Sequence, residues 1–221
     1  MLYLKNFLKI LILIQFLSFL TNELNGQESD KGRVLQSTQI SQEDIIAALQ
    51  TLNIQIYKFK VNLPISQKCN VYIYQQEYEK RNKLSDEVLW GTPNPFRALE
   101  NGVEVQKALE EIRIITKGDK QDYTLNIKMG DFSLLYHIKP DTAYKKPHGC
   151  KPFMLPNDFS IGSKIPLLLI GSYWDSSSKE GAMSIERFCM ENEMNPDFSN
   201  KAFDVMPHYY IFGISIVESK K

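Results

Sequence analysis

The stretch EIRIITKGDKQDYTLNIKMGDFSLLYHIK, Glu111 to Lys139, decides how the rest of the chain is read. Gly130-Asp131 divides it with a two-residue turn of the kind that begins with glycine. Folded there, Met129 faces Phe132, Ile127 faces Leu134, Leu125 faces Tyr136 and Tyr123 faces Ile138. Every pair on that face is apolar or aromatic. On the other face Thr124 meets His137 and Asp122 meets Lys139. An upstream turn through Gly118-Asp119-Lys120-Gln121 predicts Ile114 beside Leu125, Ile112 beside Ile127 and Lys117 opposite Asp122. A slip of one residue would turn the whole apolar row into water, so the register is strongly specified. Each cross-strand pair contributes about 0.2–1 kcal/mol. Burial of the row contributes more, at about 25 cal/mol per Å². The segment is thus expected to form a three-stranded antiparallel meander.

Upstream, Ser41 reads as an N-cap, with Glu43 and Asp44 in the first turn and Ile45, Ile46, Leu49 and Leu52 at helical spacing. This predicts a short helix from Gln42 to about Leu52. From Ile54 the period becomes two: Tyr57, Phe59, Val61 and Leu63 share one face, and Pro64 stops the strand. A second run begins at Cys69. Pairing Leu63 with Cys69, Val61 with Val71 and Phe59 with Ile73 gives a hairpin with one apolar face. Between Lys80 and Leu109, Asn94 and Pro95 suggest N-cap and N1 of a short helix that Asn101-Gly102 stops.

Downstream, Pro140 to Ser163 is a long connection with no clear secondary structure. Ile165 to Ile170 suits a strand buried on both faces, or an inner strand whose outer side lies under a loop. Trp174 to Ser178 leaves it as a polar loop. Met183 to Met194 suggests a short helix capped by Ser184. Tyr209 to Val217 is a strand with Tyr210, Phe212, Ile214 and Ile216 on one face. Six or more strands joined by hairpins and long loops predict an all-β fold, an antiparallel β-sandwich with a few short helices. The alternative is α+β, an open antiparallel sheet with the Ile45 helix packed on one face.

The N-terminus bears on compartment. Lys5 and Lys9 precede an apolar core, Ile10 to Leu20, and a polar segment ending at Gly26. That is the pattern of a secretory signal, and the core is short of the roughly 20 apolar residues that a spanning helix needs. The expected organisation is a signal peptide over 1–26, a flexible segment over 27–40 and one β-rich domain over 41–221. After cleavage no span remains, and the product is expected in the periplasm, at the cell surface or secreted. Basic and acidic residues balance at 26 each, which argues against nucleic acid as a partner. Of the three cysteines, Cys69, Cys150 and Cys189, at most one pair is expected to form a disulfide. The first reading is that all three are buried, reduced and packed as small hydrophobes; if a disulfide forms, Cys150, in the long connection, is its expected member, because a crosslink there restricts the unfolded chain.

Motifs for chemistry are sparse. The three histidines, His137, His148 and His208, have no metal-ligand spacing. There is no G-x-S-x-G elbow, S-x-x-K, P-loop or dinucleotide fingerprint. No metal or cofactor is implied. Long connections are often functional. On them and on the loop after Trp174 lie His148, Asp158, Trp174 and Asp175, the expected ligand-binding residues. Asn25-Gly26-Gln27, the Lys164-to-Trp174 strand and Met206-Pro207-His208-Tyr209-Tyr210 make the chain resemble uncharacterised exported proteins of gut Gram-negative bacteria, grouped as domains of unknown function. The likeness covers most of the chain after Gly26 and implies no activity. The function is therefore unknown. The first reading is an exported, non-catalytic binding or interaction module for an extracytoplasmic protein or glycan. The second is an extracytoplasmic hydrolase with a loop-built site involving His148, Asp158 or Asp175.

Overall fold

The computed structural model describes residues 40–119, 122–139, 146–156, 161–176, 185–188 and 191–219. The expected signal over 1–26, the segment 27–39, Asp158, Ser184 and Cys189 lie outside the described residues. The chain divides into two units, 1–41 and 42–221, and every strand belongs to the second. Among the described residues no helix is long and apolar enough to cross a membrane.

Two antiparallel sheets dominate. The first contains β1 (Ile54–Lys60), β6 (Glu111–Asp119), β7 (Asp122–Met129) and β8 (Phe132–Ile138), in the order β1-β6-β7-β8. The second contains β2 (Cys69–Glu79), β3 (Asn82–Asn94), β9 (His148–Pro152), β10 (Lys164–Ser172) and β13 (His208–Glu218), in the order β3-β2-β13-β10-β9. Two small hairpins stand beside them, β4 (Phe96–Glu100) with β5 (Val103–Lys107) and β11 (Trp174–Ser176) with β12 (Ile185–Arg187). The fold is all-β and sandwich-like. The helix α1 (Gln42–Thr51) buries no residue, so it forms no packed layer, and the open-sheet α+β alternative falls away.

The sheets meet through one apolar core. Phe59 of β1, Ile112 and Ile114 of β6, and Leu125, Ile127 and Met129 of β7 pack against Val71 and Ile73 of β2, Leu168 and Ile170 of β10, and Phe212, Ile214 and Ile216 of β13. These residues recur every second position because alternate strand side chains share a face. The β7–β8 register is the expected one, from Met129 opposite Phe132 to Tyr123 opposite Ile138. Gly130 takes φ 58 to begin that turn. The β6–β7 register differs by two residues: Ile114 faces Ile127 and Thr116 faces Leu125. A two-residue shift keeps the same face inward, and it adds Ile112 opposite Met129 to the buried row.

The expected hairpin between the strands at Phe59 and Val71 does not form. β1 pairs with β6, and β2 pairs with β13 and β3. After Pro64 the chain changes sheet, so Phe59 and Val71 still meet, but across the core instead of along a ladder. The expected helix after Asn94-Pro95 is replaced by the β4–β5 hairpin. Asn101 and Gly102, at φ 51 and φ 81, are its turn, since positive φ at both central residues matches the strand twist. Asn94 caps no helix; its amide nitrogen donates to the Pro64 and Gln67 carbonyls, and its carbonyl oxygen accepts from the Leu109 N–H.

A second core lies on the outer face of the five-stranded sheet. Leu169, Tyr209, Ile211 and Tyr74 are covered there by Phe153, Met194, Met206 and the one-turn helix α2 (Ala202–Val205), which contributes Ala202 and Phe203. This cover explains why β10 and β13 are buried on both faces, as the continuous apolar run at Ile165 predicts. The helix expected over Met183 to Met194 is not present: β12 and irregular chain occupy its described part.

Candidate functional site

The long connection after β8 contains a strand, and this decides where its residues sit. β9 runs antiparallel to β10, with His148 opposite Ser172 and Cys150 opposite Ile170. His148 therefore comes to the end of β10 that leads into Tyr173 and Trp174. The Lys146 ammonium joins the same end through an ion pair with Asp175 at 2.6 Å. Of the four sequence-selected residues, the fold thus brings His148, Trp174 and Asp175 to one end of the five-stranded sheet, while Asp158 lies outside the described residues.

Their roles there differ. Trp174 is half-buried, packs against the second core and lies 6.5 Å from the Phe188 ring. Asp175 is held by Lys146 at the surface. His148 is buried and faces the inner core, where the sandwich turns polar. Its ring meets the His208 ring edge-on at 6.0 Å and the Tyr123 ring at 6.3 Å. Tyr123 donates its hydroxyl hydrogen to the His148 carbonyl. His208 is fully buried; Nε2 lies 2.9 Å from Glu77 Oε1, and its backbone N–H donates to Ser172 Oγ.

Beyond a loose interaction with the Lys146 backbone, neither ring nitrogen of His148 has a hydrogen-bond partner among the described residues. Burial, reinforced by the neighbouring His208, pushes its pKa down to about 4. The ring is neutral at ordinary pH for that reason, because a charge there would lose its water. Nearby, burial drives the Cys150 thiol up to about 12, against a hydrogen bond with Thr116 that pulls it down. Cys150 and Cys69 are both free thiols. Among the described residues no group of three or more His, Cys, Asp or Glu side chains is placed to hold a metal.

Over this end of the sandwich opens a cavity of about 390 Å³. Gln50 of α1, Asn53 of the turn after it and Gln55 of β1 form one wall. Thr116 and Gly118 of β6 and Tyr123 of β7 form the second, and Pro147 to Cys150 with Tyr173 form the third. Tyr173 is itself backed by Phe188, stacked at 5.1 Å. The lining contains no charged side chain, and its one histidine is held neutral. It offers amides, hydroxyls and rings. Amides donate and accept at once, so such a wall matches ligands that also do both.

Gln50, Gln55, Thr116, Tyr123, Tyr173, Glu77 and His208 are absent from the sequence-selected set. They come from α1, from the residue after β10 and from strands that are neighbours only after folding. The one local signal is parity: His208 lies two residues before Tyr210, hence on the inward face of β13. Residues 25–218 match the family described as a domain of unknown function, DUF5041, and the chain belongs to that family. No curated protein and no solved structure matches it.

Proposed function

We propose that this DUF5041 protein is a non-catalytic binding module that acts outside the cytoplasm and holds a neutral glycan in the cavity between α1, β6 and β9. The uncharged lining of that cavity carries the reading. A sugar presents hydroxyl groups that donate and accept, together with an apolar ring face. Gln50, Asn53 and Gln55 answer the first, and the Tyr173 ring answers the second. The size of the cavity is in the range of pockets that take small ligands. Catalysis is left out because the acid–imidazole pair of the region, Glu77 with His208, is not among the groups that line the cavity, and His208 is fully buried. Export is supported by the basic start and apolar core up to Leu20.

Binding is tested with an array of neutral, acidic and basic oligosaccharides, followed by titration calorimetry on the best neutral hit. Gln55→Ala and Tyr173→Ala are each expected to weaken that hit about tenfold, the effect of about 1.4 kcal/mol from lost hydrogen bonds or stacking. A preference for acidic or basic sugars, or a neutral hit that neither substitution affects, would overturn the reading.

A further inference from the structure

Four strands stand at the edges of the two large sheets: β1, β8, β3 and β9. An edge presents unpaired backbone groups, and natural sheets guard them with charge, proline, bulges or shortness. Three of these edges are guarded. β1 carries Lys58 and Lys60. β3 carries Lys83, Asp86, Glu87 and Pro93 and has two breaks in its register. β9 is five residues long and ends Lys151-Pro152. β8, FSLLYHI, has no Lys, Arg, Asp, Glu or Pro and pairs with β7 without a break. Leu135, at its centre, is 60% exposed.

The direction of the free groups is set by the turn. Phe132 closes a two-residue hairpin with Met129, and a closing pair of that kind exchanges both hydrogen bonds. Alternate residues repeat the pattern. The backbone groups of Ser133, Leu135 and His137 therefore point away from β7, and among the described residues none of them has a backbone partner outside its own sheet.

We propose that a second copy of this chain pairs antiparallel with β8, about a two-fold axis at Leu135, joining two four-stranded sheets into one. This axis sets Leu135 against Leu135 of the second copy and Ser133 against its His137. It sets Asp131 against its Lys139 at both ends, so the flanking charges are complementary. The outward-pointing backbone groups of the two strands meet in phase, as they would about an axis at any residue of the strand, and the charge pairs at both ends are what place the axis at Leu135. His137 already meets Thr124 through Nδ1 at 3.2 Å, which leaves Nε2 for the Ser133 hydroxyl.

Sedimentation across a concentration series, with circular dichroism as a check on folding, is the first measurement. The protein is expected to approach twice its chain mass, and Leu135→Lys, which sets two cations on the axis, is expected to return it to the chain mass. Oxidative crosslinking tests the register. Leu135→Cys is expected to yield a covalent dimer above the background of the parent cysteines, and Ser133→Cys is expected to yield none, since its counterpart lies opposite His137. Asp131→Lys is expected to weaken the dimer, and adding Lys139→Asp to restore it. A monomer at every concentration, a dimer unaffected by Leu135→Lys, or equal crosslinking at 133 and 135 would each overturn the proposal. If Leu135→Lys fails to fold, the crosslinking pair decides.

Discussion

The two hydrophobic cores share a sheet and are built in different ways. The inner core is strand against strand, and most of its residues occupy positions set by a period of two. The outer core rests on the same β10 and β13, but its cover is irregular chain and a one-turn helix: Phe153, Met194, Phe203 and Met206. Ladders on both sides hold the inner-core residues of β2, β6, β7, β10 and β13, and a ladder on one side holds Phe59 and Ile138 of the edge strands. The outer cover is tied mainly by isolated bonds, such as Met154 N–H to the Met194 carbonyl and Met206 N–H to the Ala202 carbonyl. The inner core should therefore open only with the whole domain, and the outer cover should open by itself. Regions that open alone are those whose backbone bonds are few and local.

The sharpest test compares two fully buried phenylalanines. Phe212→Ala in the inner core is expected to lower global stability by about 3–5 kcal/mol, through lost burial and the cavity left behind. Phe203→Ala is expected to cost about 3 kcal/mol or less, and to accelerate hydrogen exchange over 194–206 while β7 stays protected. Denaturant unfolding and exchange mass spectrometry read the two effects. Equal acceleration across β7 and 194–206 in the Phe203 variant would mean that the cores are one cooperative unit.

The polar end of the inner core predicts a pH dependence. Between its ordinary value of 6.5 and about 4, His148 takes up a proton in the unfolded chain and refuses it in the fold. Stability should then fall as pH drops from about 6.5 to about 4 and receive no further change from this group below that. By linkage the loss approaches about 3 kcal/mol. Urea unfolding at pH 7 and pH 5 measures it, and His148→Phe should flatten the difference. An unchanged slope in that variant would assign the dependence to other groups.

Cys150 sharpens the same contrast without changing stability. With its thiol pushed up to about 12, it should alkylate far more slowly in the folded protein at pH 8 than in denaturant, because the thiolate is the reactive form. Mass spectrometry of peptides after brief labelling reads this directly. Labelling of folded Cys150 as fast as that of the unfolded chain would show that this end opens readily.

The smallest effect concerns the rim of the outer core. Lys164 lies 5.1 Å from the centre of the Tyr74 ring and bonds Asp86 at 2.8 Å. With Lys83 and Gln76 it holds the Asp86 carboxyl down at about 2, against the opposing effect of burial. Both ends of the pair are partly in water, so Lys164→Met is expected to cost about 0.2–1 kcal/mol. Thermal melts at low and high salt measure it, and the cost should shrink at high salt.

The same division governs how much of the fold is legible in the residues. The β7–β8 register is legible because Gly130-Asp131 fixes the turn and a one-residue slip would expose Ile127 and Leu125. The β6 register is legible only to its face, since a shift of two preserves parity. The Phe59 and Val71 strands are mispaired from sequence for a related reason: alternation marks which side chains are buried together, and it looks the same along a ladder and across a core. Asn94-Pro95 resembles a helix start because the same residues serve where a strand ends. Among the site residues, His148, Trp174 and Asp175 are selected by their place on loops, and β9 carries His148 to the Trp174 end. Gln50, Gln55, Thr116 and Tyr123 cannot be found that way. Their meeting depends on β1, β6 and β9, and no local pattern encodes that β9 adds to β10.

The place of β13 has a kinetic consequence. It comes after every other described strand in the chain, yet in the sheet it lies between β2 and β10. Until it arrives, the β2–β3 and β9–β10 pairs have no common neighbour, and the inner core lacks Phe212, Ile214 and Ile216. The β6–β7–β8 meander can pair early, but its apolar face then has only part of a floor to close upon. Contacts that span so much chain are closed late and slowly. The full inner core can therefore close only once β13, the last described strand in the chain, has docked between β2 and β10.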